Sequence, residues 1–373
     1  MKLAIISHTP HFKNNGTILG WGPTVREISH LKNIFNKIYH IAPLYEGSCP
    51  DSYIEYDDNI DFIPIIPSGG PTFKNKIKII LTFPSNLSII HKICKKTDWI
   101  QFRSPTNLGL YVLPYLKIFN KKKYWVKYAG NWSQINPPIS YFLQRFWLKY
   151  IVKQTQVTVN GKWNNQRKHI NSFENPCFSK KELIEAQKVK RAKVFSERIE
   201  ICFVGAFEKN KGIYLLIDAL KLTKQYSMIR KIYFVGDGNE KEKVKLSIKK
   251  LNLFEINIVG PVSRKKLNEI YSRCHIIILP SKSEGFPKVI AEAISYGCVP
   301  IVTNVGSISH YINENNGVLL KTRSSEKLKN AIEHLLNDRM NLRMLSENGS
   351  KIANLFTFEH YNEKIKKYII NKK

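Results

Sequence analysis

Short runs of branched apolar residues alternate with amphipathic stretches along almost the whole chain, and that alternation leaves few folds open. The run KLAIIS is followed by a helical pattern over 23–35, then KIYHIA and a basic helical stretch over 74–96. WIQFR, a helical pattern over 107–119, YWVKYA, another over 139–153 and VTVNG complete a first series. A second series opens at IEICFVG and runs through helical patterns over 213–223, 240–251, 264–273 and 287–296, separated by KIYFVG, INIVG, HIIILPS and VPIVT. Strands that alternate with helices predict parallel sheets covered by helices on both faces. Between the series, residues 176–198 are polar, basic and poor in branched apolar residues, and read as a linker. The expected class is α/β: two Rossmann-like doubly wound domains, 1–175 and 199–355, facing across a cleft. The helical tail 356–373 is expected to pack back on the first. In such sheets ligands bind beyond the carboxyl ends of the strands.

A chain of 373 residues with 43% hydrophobic content is long enough for two cores. Its net charge of +30, from 59 Lys and Arg against 29 Asp and Glu, is unevenly spread. Between Asp98 and Glu174 there is no acid, while Arg103, Lys117, Lys121, Lys122, Lys123, Lys127, Arg145, Lys149, Lys153, Lys162, Arg167 and Lys168 fall there. Such a field attracts polyanions, whether nucleic acid, anionic lipid or a phosphate-bearing substrate. No apolar run approaches the ~20 residues that cross a bilayer, and MKLAIISHTPHF reads as a strand entering a loop rather than a signal peptide, so a cytoplasmic protein is expected. The six cysteines show no C-x-x-C spacing and read as reduced core thiols. There is no D-x-D triplet, and neither a metal nor a cofactor is expected.

The chemistry concentrates in the second series. Three glycine turns follow its strands: FVGAFEKNKG, with Gly205 and Ala206; FVGDGNE, with Gly236 and Gly238; and IVGPVSR. Lys241 occupies the third-glycine position of the second turn, which excludes a dinucleotide fingerprint. Lys211 and Gly212 at the head of a helix offer a cation and free N–H groups to an anion. The stretch SEGFPKVIAEA then places Glu284 just before a helix and Glu292 inside it. Pro287 suits the first helical position and Gly297 the residue past the end. The amides of Gly285 and Phe286 point out of the strand end, Glu284 is placed to accept from sugar hydroxyls, and Glu292 to hold both hydroxyls of a ribose. The plainer alternative for Glu292 is a surface acid paired with Lys288.

The E-x7-E array with G-F-P inside it, preceded by HIIILPS and followed by GCVPIVTNVGS, resembles the retaining glycosyltransferases of the GT-B fold, family four. FVGAFEKNKGIYLLIDAL is similar to that family's phosphate-binding strand–loop–helix, and FVGDGNE to its base-side loop. The resemblance is dense over 199–320 and looser in GWGPTVREI, QFRSPTNLGL and KYAGNW. It implies a nucleotide-sugar donor held by the second domain and a saccharide acceptor on the first. Glu284 would contact the donor sugar beside the Gly285 and Phe286 amides, Glu292 would hold the ribose, and Val289 would lie near the nucleotide. Lys211 would neutralise the leaving diphosphate, where charge develops. Gly20 and Gly22 would approach the donor from the first domain.

Two positions depart from the family. An arginine commonly follows the first glycine, and here that residue is Ala206, so Arg103 or Arg26 is the candidate replacement. The family's first-domain histidine is not evident, and Asn131 of KYAGNW is the candidate there. An inverting transferase needs a base near the acceptor, and the acid-free stretch offers no carboxylate, which leaves Glu27 or His8. A front-face retaining reaction needs none. The stretch PPISYFLQRFWLKYIVK, with Arg145, Lys149 and Lys153, has the pattern of a helix lying on an anionic membrane or of an ordinary amphipathic helix. The expected function is transfer of sugar to a saccharide acceptor, lipid-linked, in surface polysaccharide or lipopolysaccharide synthesis, peripheral to the inner leaflet. Competing readings are a relative that binds nucleotide-sugar without turnover and a basic nucleic-acid-binding protein, although no specific nucleic-acid module is present.

Overall fold

A computed structural model describes residues 1–70, 73–164, 166–195 and 198–372, with only the backbone described at 73–76. The chain divides into two units, Met1–Glu174 with Glu359–Lys373, and Asn175–Phe358.

The first unit is built on a parallel sheet in the order Ile170–Phe173, Gln156–Asn160, Lys123–Tyr128, Trp99–Ser104, Lys2–Ile6, Lys37–Tyr45, with Ile60–Ile65 paired beyond it. Its central strands are apolar runs because both faces are covered. On one face, helices Phe73–Lys95, Gly109–Ile118 and Ile139–Phe146, with the turn that follows, bring Ile90, Val112, Leu116 and Leu148 into one core. On the other, helix Gly22–His30 and the tail bring Ile28, Tyr361, Ile365 and Ile369 against Leu3 and Trp125. The tail is also tied by polar contacts, Asn362 Nδ2 donating to the His30 carbonyl at 2.7 Å and Lys364 to Glu174 at 2.7 Å.

Three features of this unit depart from the sequence expectation. A hairpin, His11–Asn14 with Thr17–Trp21, extends the sheet and pairs with Tyr53–Glu55. Its strands are too short to show a period. Gly20, expected to approach a donor from ahead of the first helix, therefore lies in a strand. The helix expected to Lys153 is α-helical only to Phe146 and continues as a π-turn over Trp147–Ile151.

The second unit is a six-stranded sheet, all parallel, in the order Ile256–Val259, Ile229–Val235, Ile199–Val204, Ile276–Leu279, Val299–Thr303, Val318–Leu320. The order runs outward in one direction from Ile199–Val204 and reverses at Ile276–Leu279, so the switch point lies between these two strands. Residues 176–198, expected as a linker, belong to this unit instead: helix Lys180–Arg191 opens on a reciprocal Ser179–Glu182 capping box and buries Leu183 and Ala186. The charged residues that made the stretch look like a connection are its solvated face.

Candidate active site

The two loops that leave the switch point converge. After Ile199–Val204, Gly212 takes a left-handed conformation (φ 76°) and starts helix Ile213–Leu222. A Cβ at Gly212 would strike the Pro280 carbonyl of the other loop, so the glycine is required both by its backbone angle and by this approach. Lys282 N donates to the Asn210 carbonyl at 2.6 Å, joining the loops through the backbone. Lys211 Nζ meets Glu284 Oε1 at 2.7 Å, and Ser281 Oγ donates to the same oxygen at 2.8 Å. The pair is half-sheltered, with side-chain exposures of 25% for Lys211 and 10% for Glu284. Glu284 Oε2 has no partner among the described residues.

The neighbouring glycine turns hold the floor of this region. Gly205 N donates to the Val235 carbonyl, Phe207 N to Asp237, and Glu240 N back to Phe207, which continues the parallel ladder past the strand ends. A Cβ on Gly236 would collide with the Gly205 carbonyl, and one on Gly238 with the Phe207 backbone. These glycines are required by loop-to-loop packing whatever binds above them. Ala206 is partly exposed and contributes a methyl group where the family has a cation.

Across the site, Pro287 is the N-cap of helix Lys288–Ser295, one position earlier than its expected place as the first helical residue. The Phe286 ring is buried, stacked on Phe356 at 4.8 Å and edge-on to Tyr311, so only its backbone faces outward. The Gly285 carbonyl is held by Ser307 N and Oγ at 3.0 and 2.9 Å, while among the described residues the amides of Gly285 and Phe286 find no acceptor. Two helix N-termini, two open amides and Lys211 together present donors and positive charge along one edge, an arrangement chemically suited to an anion. Val289 is partly buried against both cores of the unit.

Glu292 is not paired with Lys288. It is buried, Arg264 Nη1 lies 2.5 Å from its Oε1, and Tyr271 OH lies 3.4 Å from Oε2. Burial works against the Arg264 charge, but the adjacent carboxylate outweighs it and holds the guanidinium above its ordinary pKa. Oε2 is left with only the long Tyr271 contact. Arg264, Tyr271 and Ser307 were missed by sequence reasoning because each meets its partner from another element. Ser281 alone had a local signal, three residues ahead of Glu284.

Residues 185–352 match the family model for glycosyl transferases group 1. Over 158 residues the chain is 31% identical to an uncharacterised glycosyltransferase of Methanocaldococcus jannaschii, covering 42% of this chain and 44% of that one. Over 130 residues it is 29% identical to a putative teichuronic acid biosynthesis glycosyltransferase of Bacillus subtilis, covering 35% and 31%. The chain thus spans less than half the length of either relative. The matched segment belongs to the group 1 glycosyltransferases. The whole chain is similar in structure to a sucrose-phosphate synthase from Thermosynechococcus elongatus (TM-score 0.74, 19% identity, 98% of each chain). It is also similar to Anabaena HepE in complex with UDP-glucose (TM-score 0.72, 14% identity, all of each chain). These likenesses give the fold, which is GT-B.

The group 1 segment contains Glu284, Lys211, Glu292 and the glycine turns, whereas the remaining candidates lie in the first unit. Gly20 packs where a Cβ would meet the His11 ring and Val25, and Gly22 where it would meet the Ser52 carbonyl, so local packing accounts for both. Asn131 caps its own turn, accepting from Ser133 N and Oγ at 3.1 and 3.2 Å. Arg103 is largely buried and donates to Glu27 at 2.9 Å, and Lys127 donates to the same oxygen at 2.5 Å while lying over the Tyr361 ring. Glu27, considered above as a base, is therefore sealed in an ion triad. Arg26, one residue before it, is partly buried and has interaction partners of its own. His8 instead lines a cavity of about 220 Å³ at the carboxyl ends of the strands, with Tyr45, Ser68, Asn107 and Tyr141.

Beside that cavity runs a closed circuit of hydrogen bonds. His11 Nδ1 must donate to the Thr9 carbonyl, so its Nε2 accepts from Tyr56 OH, which in turn accepts from His40 Nδ1. His40 Nε2 then accepts from Ser7 Oγ, which accepts from Thr9 N. One carbonyl fixes both tautomers, and both rings are neutral. Burial drives the His11 pKa down to about 4 and pushes His40 well below its ordinary value, with His11 and Arg103 adding to the latter. The circuit pins the loop that presents His8.

Proposed function

We propose that this protein is a retaining, metal-independent glycosyltransferase that moves a sugar from a nucleotide-sugar donor to a saccharide acceptor. The observation that carries the reading is the convergence of Lys211, Glu284 and two open amides at the switch point, one helix start from Glu292. In this reading Lys211 and the amides of Gly285 and Phe286 take the diphosphate. Glu284 accepts sugar hydroxyls through Oε2, and Glu292, oriented by Arg264, accepts from the ribose. The sugar C1–O bond to phosphate breaks as the C1–O bond to the acceptor forms on the same face, and the acceptor proton passes to the leaving phosphate. Charge stabilisation of that leaving group is the main lever available to these residues. The sealing of Glu27 in an ion triad supports a reaction without a carboxylate base in the first unit.

The first-unit cavity is proposed to take the acceptor sugar, with Tyr45 and Tyr141 as walls and Asn107 as a polar contact. A lipid-linked saccharide in surface polysaccharide or lipopolysaccharide assembly, at the cytoplasmic side of the membrane, fits the similarity to a capsular polysaccharide biosynthesis glycosyltransferase of Staphylococcus aureus and an O-antigen chain mannosyltransferase of Escherichia coli. Calorimetry against a panel of UDP-, GDP- and ADP-sugars tests the donor half. One member binds, and Glu292→Ala weakens it roughly 100-fold, the loss of about two hydrogen bonds to a charged acceptor, while the fold persists. Unchanged affinity in that variant would remove the ribose contact. Ala206 favours a second reading, in which donor binds but is not turned over; tight binding with no release of nucleoside diphosphate would select it.

A further inference from the structure

One stretch of the first unit is turned inside out. Helix Ile139–Phe146 buries a single side chain, the polar Gln144, which accepts from Ser104 Oγ at 2.8 Å and donates to the Thr106 carbonyl at 2.9 Å. Its apolar stripe faces solvent: Ile139 is 79% exposed, Phe142 55%, Leu143 49% and Phe146 48%, and the stripe continues through Tyr150. In an ordinary surface helix these positions face the core. The two helices that share its face of the sheet behave alike, with Ile80 and Leu81 exposed on one, and Ile118 with Phe119, just past its end, on the other. Phe83 meets Tyr111 edge-on between them, and Gly109 packs against Gln144, so the three are neighbours. Of the 28 exposed large apolar side chains among the described residues, 14 fall between Ile77 and Ile151. An apolar surface of that extent marks a docking site.

The charge around it names the occupant. Two of the three helices fall within the acid-free stretch, and Lys149 and Arg167 both lie over the Tyr150 ring, at 5.5 and 4.7 Å. Past the π-turn an open groove is lined by Lys153, Arg167, Lys168 and Lys372. A second copy of the chain would present the same cations to itself, and nucleic acid has no use for a stripe of Ile and Leu. No described helix is long and apolar enough to cross a membrane. We propose that this face docks on an anionic phospholipid bilayer, the stripe entering the headgroup boundary and the groove taking lipid phosphate. Tyr141, on the same helix, lines the first-unit cavity, so docking sets that cavity beside the lipid. The proposal goes beyond the transfer reaction and stands without it.

Flotation of the full chain with vesicles tests it, in the absence of substrate. The protein floats with vesicles of phosphatidylcholine and phosphatidylglycerol, and little with phosphatidylcholine alone, each lysine at the surface contributing about fivefold. Phe142→Glu with Phe146→Glu, both exposed, leaves the thermal midpoint unchanged and lowers binding at least tenfold. Lys149→Glu with Lys153→Glu lowers it at least as much and weakens its salt dependence. Wild-type protein that stays unbound, or apolar-stripe variants that float like wild type, would overturn the proposal. So would a wild-type dimer in vesicle-free buffer that the same variants disperse, or retardation of single-stranded RNA at physiological salt that they abolish.

Discussion

Arg264 is the residue whose removal reports most on how the site is held. Arg264→Met keeps an unbranched apolar stem but leaves the Glu292 carboxylate, with 7% of its side chain exposed, facing Tyr271 without a counter-charge. Breaking a buried pair in this way costs roughly 3–5 kcal/mol. The expected result is a loss of about 3 kcal/mol at pH 7, seen as a drop of roughly 6–12 °C in thermal midpoint for a unit of this size. Arg264→Met with Glu292→Gln recovers most of the loss. Nucleotide affinity falls in the single variant too, because the carboxylate is no longer oriented. A loss under about 1 kcal/mol at pH 7 would refute the pairing as the element that holds Glu292.

Gly236→Ala sets a methyl group onto the Gly205 carbonyl at a residue whose φ is 141°. It lowers stability by about 3 kcal/mol or more, read from the urea midpoint, and an unchanged midpoint contradicts the packing account of the glycine turns. Buried His11 and His275 both have pKa values lowered to about 4, chiefly by burial, against 6.5 when unfolded. The unfolded chain takes up their protons first, so stability is lost as pH falls from 6.5 toward 4. The loss is about 2 kcal/mol for each by pH 5, before most carboxylates titrate. A urea midpoint that is flat between pH 7 and 5 would contradict it, and Tyr56→Phe, which opens the His11–His40 circuit, lowers the midpoint at pH 7.

Long-period signals were legible in the sequence and short or non-local ones were not. The inner second-unit strands are buried on both faces and announce themselves as apolar runs, and SEGFPKVIAEA shows the start of its helix through Pro287. The hairpin at His11–Trp21 was invisible because four- and five-residue strands with a half-exposed face show no alternation. The capped helix at 180–191 was hidden by its charge, since only Leu183 and Ala186 face inward. Partners such as Arg264 for Glu292, or Glu27 for Arg103, are set by tertiary placement and leave no local pattern. Spacing suggested Lys288 for Glu292 in a helical pair; the fold supplied a bidentate-capable arginine from a neighbouring helix instead.

The central claim is that Lys211 holds the leaving diphosphate of a nucleotide-sugar and Glu284, joined to it at 2.7 Å, holds the sugar. Release of nucleoside diphosphate from a panel of UDP-, GDP- and ADP-sugars, with wild-type protein and Lys211→Ala compared side by side, tests it most directly. The account predicts release from at least one donor, with a rate that falls about 10²–10³-fold in Lys211→Ala, measured below the thermal midpoint of the variant so that both proteins are folded. Equal rates in the two proteins, or a panel that neither binds nor turns over, would contradict it.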